Sequence, residues 1–157
     1  MTAYDAGTAN LMRDYRGQPH GCTPPALYLN RGGRFENVAA SAGLDHAYLP
    51  MGASFGDIDN DGFLDIYLAT GDPAFETLMP NVMLRNDRGT RFQNVTTAGG
   101  FGHLQKGHGI CFADLDHDGD QDLYHQLGGF FPGDKFHNAL FLNPGGGGHF
   151  LVVELEG

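Results

Sequence analysis

The chain has 157 residues, 41% of them hydrophobic, enough length and apolar content for one ordinary domain with a core of its own. Its formal net charge of −10 at pH 7 argues against nucleic acid and anionic membrane surfaces as partners, and no stretch approaches the eighteen or more apolar residues of a membrane span. With 25 Gly, 8 Pro, 12 Phe and 6 Tyr, the composition points to short strands joined by tight turns, an all-β class.

Residues 1–25 form an irregular N-terminal segment, in which 9–15 can make a turn or two of helix and 17–25 read as loop; no function attaches to it. From Ala26 onward the sequence repeats itself. Leu27-Tyr28-Leu29-Asn30 returns as Met83-Leu84-Arg85-Asn86 and again as Leu140-Phe141-Leu142-Asn143, while Arg34-Phe35-Glu36-Asn37-Val38 returns as Arg91-Phe92-Gln93-Asn94-Val95. The period is 57 residues, with a single one-residue drift. Each period reads as four short strands. These are an inner strand (52–56; 109–113), a second after an acidic loop, and a hairpin (82–86 with 91–95; 138–143 with 149–155). A four-stranded unit of this length has the size of a β-propeller blade. The chain is therefore expected to hold, after residues 1–25, the outer hairpin of a partial blade and a connecting loop (26–50), a first complete blade (51–107) and a second (108–157), as part of a larger propeller.

The acidic loops are Asp57-Ile58-Asp59-Asn60-Asp61-Gly62-Phe63-Leu64-Asp65 and Asp114-Leu115-Asp116-His117-Asp118-Gly119-Asp120-Gln121-Asp122. Between 51–70 and 108–127 eight of twenty positions are identical, and half of those eight are the aspartates at loop positions 1, 3, 5 and 9. Carboxylates so spaced suit a hard divalent cation. Calcium takes six to eight oxygen ligands at about 2.3–2.6 Å in flexible geometry. Gly62 and Gly119 stand at position 6, where the turn is sharpest. Position 7 is Phe63 in one copy and Asp120 in the other, which fits a ligand supplied by the backbone carbonyl. An EF-hand closes with Glu at position 12 and enters a helix, but here that position is Leu68 or His125 and the following residues are strand-like. Ordinary Asx-rich turns are the plainer alternative for one such loop. Two in register argue for ions, because four crowded carboxylates repel unless neutralised. Two calcium ions would bring the net charge from −10 to about −6.

These loops, preceded by Phe55-Gly56 and Phe112-Ala113 and separated by the two hairpin phrases, resemble FG-GAP/VCBS repeats over residues 26–157. Phe35 to Leu44, and the closing residues Gly148 to Gly157, are similar to segments of the ASPIC/UnbV group related to cartilage acidic protein. The resemblance implies a seven-bladed calcium-binding propeller, as in integrin α-subunits, used for adhesion or as a scaffold. It assigns the calcium ligands to Asp57, Asp59, Asp61, the Phe63 carbonyl and Asp65, and to Asp114, Asp116, Asp118, the Asp120 carbonyl and Asp122.

The expected function is a calcium-stabilised interaction, adhesion or scaffold module with a protein or glycan partner. Millimolar calcium sites suit an extracellular, cell-surface or periplasmic setting; residues 1–20 hold no apolar run of signal-peptide type, so export requires a leader outside this sequence. A calcium-dependent polysaccharide-active enzyme and a purely architectural spacer stand as alternatives. The chain is not expected to be an enzyme. Its best acid-base or zinc candidates are His46, His103 and His108, the first two 57 apart, and no third ligand stands at a recognisable spacing. They read more simply as loop residues whose rings satisfy backbone groups. Cys111, in an apolar run, reads as a small core residue, and Cys22 as a loop residue. Gly145 to Gly148 read as a long hairpin turn and not a phosphate loop, and Asn94-Val95-Thr96 is a weak glycosylation sequon.

Overall fold

The structure is a computed structural model, and it describes residues 7–72, 79–129, 132–133, 136–146, 151 and 153–156. One helix, α1 (Gly7–Tyr15), precedes nine strands: β1 (Tyr28–Asn30), β2 (Phe35–Asn37), β3 (Pro50–Gly56), β4 (Asp65–Thr70), β5 (Val82–Asp87), β6 (Arg91–Asn94), β7 (Gly107–Ala113), β8 (Asp122–Leu127) and β9 (Ala139–Phe141). They form three antiparallel meanders in chain order, β1-β2, β3-β4-β5-β6 and β7-β8-β9. The fold is thus mostly β, and the strands begin and end close to where the repeat puts them. Ring closure is not seen among the described residues.

Two expectations change. The second unit shows three strands among the described residues. Of its expected fourth strand, residues 149, 150 and 152 lie outside them, and Leu151 and residues 153–155 are exposed and in no strand. Cys111 is exposed and unpaired, because its side of β7 faces outward; Cys22 is likewise a free thiol.

Turn chemistry sets the register. Arg88 and Gly89 both take positive φ (53° and 72°), and the Thr90 amide donates to the Asp87 carbonyl at 3.0 Å, closing β5 on β6 in a two-residue turn. Gly32 and Gly33 (φ 67° and 91°) do the same between β1 and β2. At the end of α1, Gln18 N–H reaches the Arg13 carbonyl and Gly17 N–H the Asp14 carbonyl, both at 2.8 Å; Gly17 at φ 61° makes this a Schellman stop.

Packing follows the alternation of side chains. Ile66, Leu68, Val82 and Leu84, on one face of the four-stranded sheet, meet Leu44, Ala47, Tyr48, Leu49 and Leu11 of α1. Tyr67 and Met83, on the other face, meet Leu123, Ile110, Phe112 and Phe141 of the next sheet. β4 is therefore buried along its whole length and reads as a continuous apolar run. Backbones approach closely where β3 meets β7. A Cβ on Gly52 would strike the His108 carbonyl, and one on Gly56 the Phe112 ring.

The N-terminal segment is docked on the fold. Asp14, buried on α1, accepts from the Ala47 amide at 3.2 Å, stands 3.3 Å from His46 Nδ1 and 3.0 Å from His20 Nε2. His20 Nδ1 accepts from the Cys22 amide at 3.2 Å, so the neutral ring carries its proton on Nε2 and donates it to Asp14.

Candidate metal centre

Each acidic loop joins an inner strand to the next, β3 to β4 and β7 to β8, and each curls by the same device. Asn60 and Gly62 take φ of 52° and 88°, and His117 and Gly119 take 64° and 93°. Left-handed backbone at these positions turns successive amides inward. The Asp57 carboxylate then accepts from Asp61 N–H at 3.0 Å and Gly62 N–H at 2.9 Å; Asp114 accepts from Asp118 N–H at 3.1 Å and Gly119 N–H at 3.0 Å.

Position nine ties the loop to the sheet. Asp65 has no exposed surface, and its two oxygens accept from Ile58 N–H (2.9 Å) and from Asn86 N–H on β5 (2.7 Å). Asp122 repeats the pattern with Leu115 N–H (2.8 Å) and Asn143 N–H (2.9 Å). The two loops also touch. The Asp57 amide donates to Gln121 Oε1 at 2.8 Å, Asn143 Nδ2 donates to the Ile58 carbonyl at 2.7 Å, and Asn60 Nδ2 donates to the Asp120 carboxylate.

In the first loop one oxygen each from Asp57, Asp59 and Asp61 lie within 4.8 Å of one another; in the second the same holds for Asp114, Asp116 and Asp122. The expected sets overlap these without coinciding. Asp65 stands outside the first cluster and Asp118 outside the second, where its Oδ1 accepts from Asp120 N–H at 3.0 Å. Phe63 sits in the first loop with its amide on Asp61 Oδ1 at 2.9 Å.

The electrostatics are those of crowded anions. Burial raises the Asp59 pKa, the Asp61 and Asp57 charges add to it, and Arg85, with Nη1 3.8 Å from Asp59 Oδ2, opposes it. Burial pushes Asp65 up to about 6 against the amide bonds from Asn86 and Ile58. In the second loop Asp116 is raised by desolvation and by Asp118 and Asp122. There the place of Arg85 is taken, 57 residues on, by Leu142. Asp59 Oδ1 is buried and has no hydrogen-bond partner.

The histidines do not gather into a third centre. His46 is held by Asp14, His103 Nδ1 accepts from the Gln105 amide at 3.1 Å, and His108 lies on β7 instead of in a loop. Sequence reasoning passed over several asparagines that organise the sheets. Asn81, fully buried, accepts from Thr70 N–H at 2.8 Å and donates to the carbonyls of His103 (2.7 Å) and Gln105 (2.9 Å), joining the first sheet to the segment that enters the second. Asn138, 57 residues on, accepts from Leu127 N–H at 3.1 Å, and Asn86 and Asn143 are likewise 57 apart. The repeat itself was the available signal.

Residues 15–68 match the family described as FG-GAP-like repeat. The matched stretch runs from the end of α1 through the β1-β2 hairpin, β3 and the first acidic loop to Leu68 on β4, so the FG-GAP-like repeat includes the Asp57, Asp59 and Asp61 cluster. The second loop is tied to that repeat by the 57-residue period and by the same amide-to-carboxylate bonds. No curated protein matches the chain.

Proposed function

We propose that the chain is a calcium-binding repeat module without catalytic activity, serving as an interaction or scaffold unit outside the cytoplasm. The observation that carries the cation is Asp59 Oδ1, a buried carboxylate oxygen without a partner, in a group whose oxygens converge with those of Asp57 and Asp61. Leaving such an atom unpaired costs about 1–3 kcal/mol, more when it is charged. An all-oxygen donor set is the kind that hard cations take. Asp57, Asp59 and Asp61 would hold one ion and Asp114, Asp116 and Asp122 the other, with Asp65, Asp118 and the carbonyls of Phe63 and Asp120 available to complete the shells. Bound calcium supplies positive charge that offsets the carboxylate repulsion and draws each loop together.

The wider role rests on the FG-GAP-like match and on the likeness of Phe35 to Leu44 to the ASPIC/UnbV group. Calcium titration by calorimetry tests the sites. Two ions per chain are expected, falling to one in Asp59→Asn and in Asp116→Asn; a silent titration, or variants that still take up two, would remove the cation. Glycan-array binding that chelator abolishes would support the interaction role over a spacer.

A further inference from the structure

In each sheet, cross-strand register separates side chains into a face toward the preceding unit and a face toward the following one. Ser54, Tyr67 and Met83 are paired across β3, β4 and β5 on the following face. Tyr67 and Met83 are both 0% exposed, because Leu123, Phe112 and Phe141 of the next sheet cover them. The same row in the second sheet is Cys111, Tyr124 and Leu140, paired across β7, β8 and β9. Here Tyr124 is 39% exposed and Leu140 50%, with Leu142 exposed beside them.

The first hairpin carries the opposite half of such an interface. Asn30 pairs with Phe35 as Asn86 pairs with Phe92, so Tyr28 and Phe35 correspond to Leu84 and Phe92. Leu84 is buried and Phe92 packs with it against the preceding unit. Tyr28 and Phe35 are 61% and 68% exposed, while Leu27, on the hairpin's other face, is packed against the core beneath.

The chain therefore builds this face-to-face contact twice within itself and presents one unmated half at each end. We propose that it associates head to tail with a second copy of itself, the Cys111-Tyr124-Leu140 face of one seating on the Tyr28-Phe35 face of the next. A contact of this kind is heterologous, so assembly continues past the dimer until it closes into a ring or extends as a filament.

Light scattering coupled to size exclusion, over a concentration series in calcium, tests it. The wild-type mass should rise with concentration beyond that of a dimer. Leu140→Glu and Phe35→Glu change exposed positions, so both should keep the wild-type circular dichroism and each should remain monomeric. Mixed in equal amounts they should form a capped dimer and stop, since each retains the half the other lacks. If either fails to fold, Leu142→Lys and Tyr28→Asp take their places. A wild-type mass of one chain at every concentration would overturn the proposal, whether or not residues of the same chain shield Cys111 from maleimide. So would wild-type association in Phe35→Glu, the mark of like faces meeting, or a mixture that stays monomeric.

Discussion

Asp65 and Asp122 hold their loops whether or not an ion is present. Each carboxylate spans from an amide seven residues behind to one twenty-one ahead, on the neighbouring strand. Asp65→Ala leaves the Ile58 and Asn86 amides without acceptors and should lower stability by about 2–4 kcal/mol, read by denaturant unfolding in chelator. Asp65→Asn keeps one acceptor oxygen and should cost less. Equal losses in the two variants would show that charge and not hydrogen bonding holds the loop.

His125 makes a separate claim about pH. It is fully buried against the Tyr67 ring, with centroids 5.2 Å apart, and neither ring nitrogen has a hydrogen-bond partner. Burial, with His103 and His108 facing it, lowers its pKa to about 4. The folded chain thus binds fewer protons than the unfolded one between about 4 and 6.5. Its contribution is full above 6.5 and is lost as pH falls toward 4, on the order of 3 kcal/mol in all. Asp65 has the opposite sign: its pKa, raised to about 6, favours the folded state below 3.8 and that contribution disappears as pH rises through 6. Comparing wild type with His125→Leu separates the two. Leucine occupies the matching place at Leu68, and the variant should lose the histidine part of the slope; an unchanged profile would contradict the assignment.

At the scale of elements, the asparagines do what alternation cannot. Asn81 fastens β4 to the segment entering β7, and Asn81→Ala leaves one buried amide and two carbonyls short of partners. It should cost about 2–3 kcal/mol by chemical denaturation, against a few tenths for a surface asparagine. The strands were legible because both signals that define them are local: two-residue turns such as Arg88-Gly89 and side chains of period two. Asn81, Gln121 and Asn143 were not, because their partners lie 22, 64 and 85 residues away and leave no mark within a strand-sized window. The docking of α1 escaped for the same reason, since Asp14 meets His46 across 32 residues. Cys111 was misread because an apolar run says a strand is buried without saying on which face. The acidic loops were legible in register but not in membership, because which carboxylates converge depends on the amides that occupy Asp65 and Asp118.

At the scale of the whole molecule, the two loops lie against each other, with Gln121 and Asn143 bonding across from one unit to the other. An ion in either loop therefore stiffens the contact between sheets as well as its own hairpin. Ligand binding to the folded state alone stabilises it by about 2.7 kcal/mol per site at a hundredfold excess over Kd. For a chain of this length each kcal/mol moves Tm by about 2–4 °C. The most direct measurement is differential scanning calorimetry at pH 7 in saturating calcium and again in excess chelator. A rise in Tm on the order of 10–20 °C, reduced by about half in Asp59→Asn, is the result predicted here. Superimposable transitions in calcium and chelator would contradict it and leave the loops as acidic turns held by their own amides.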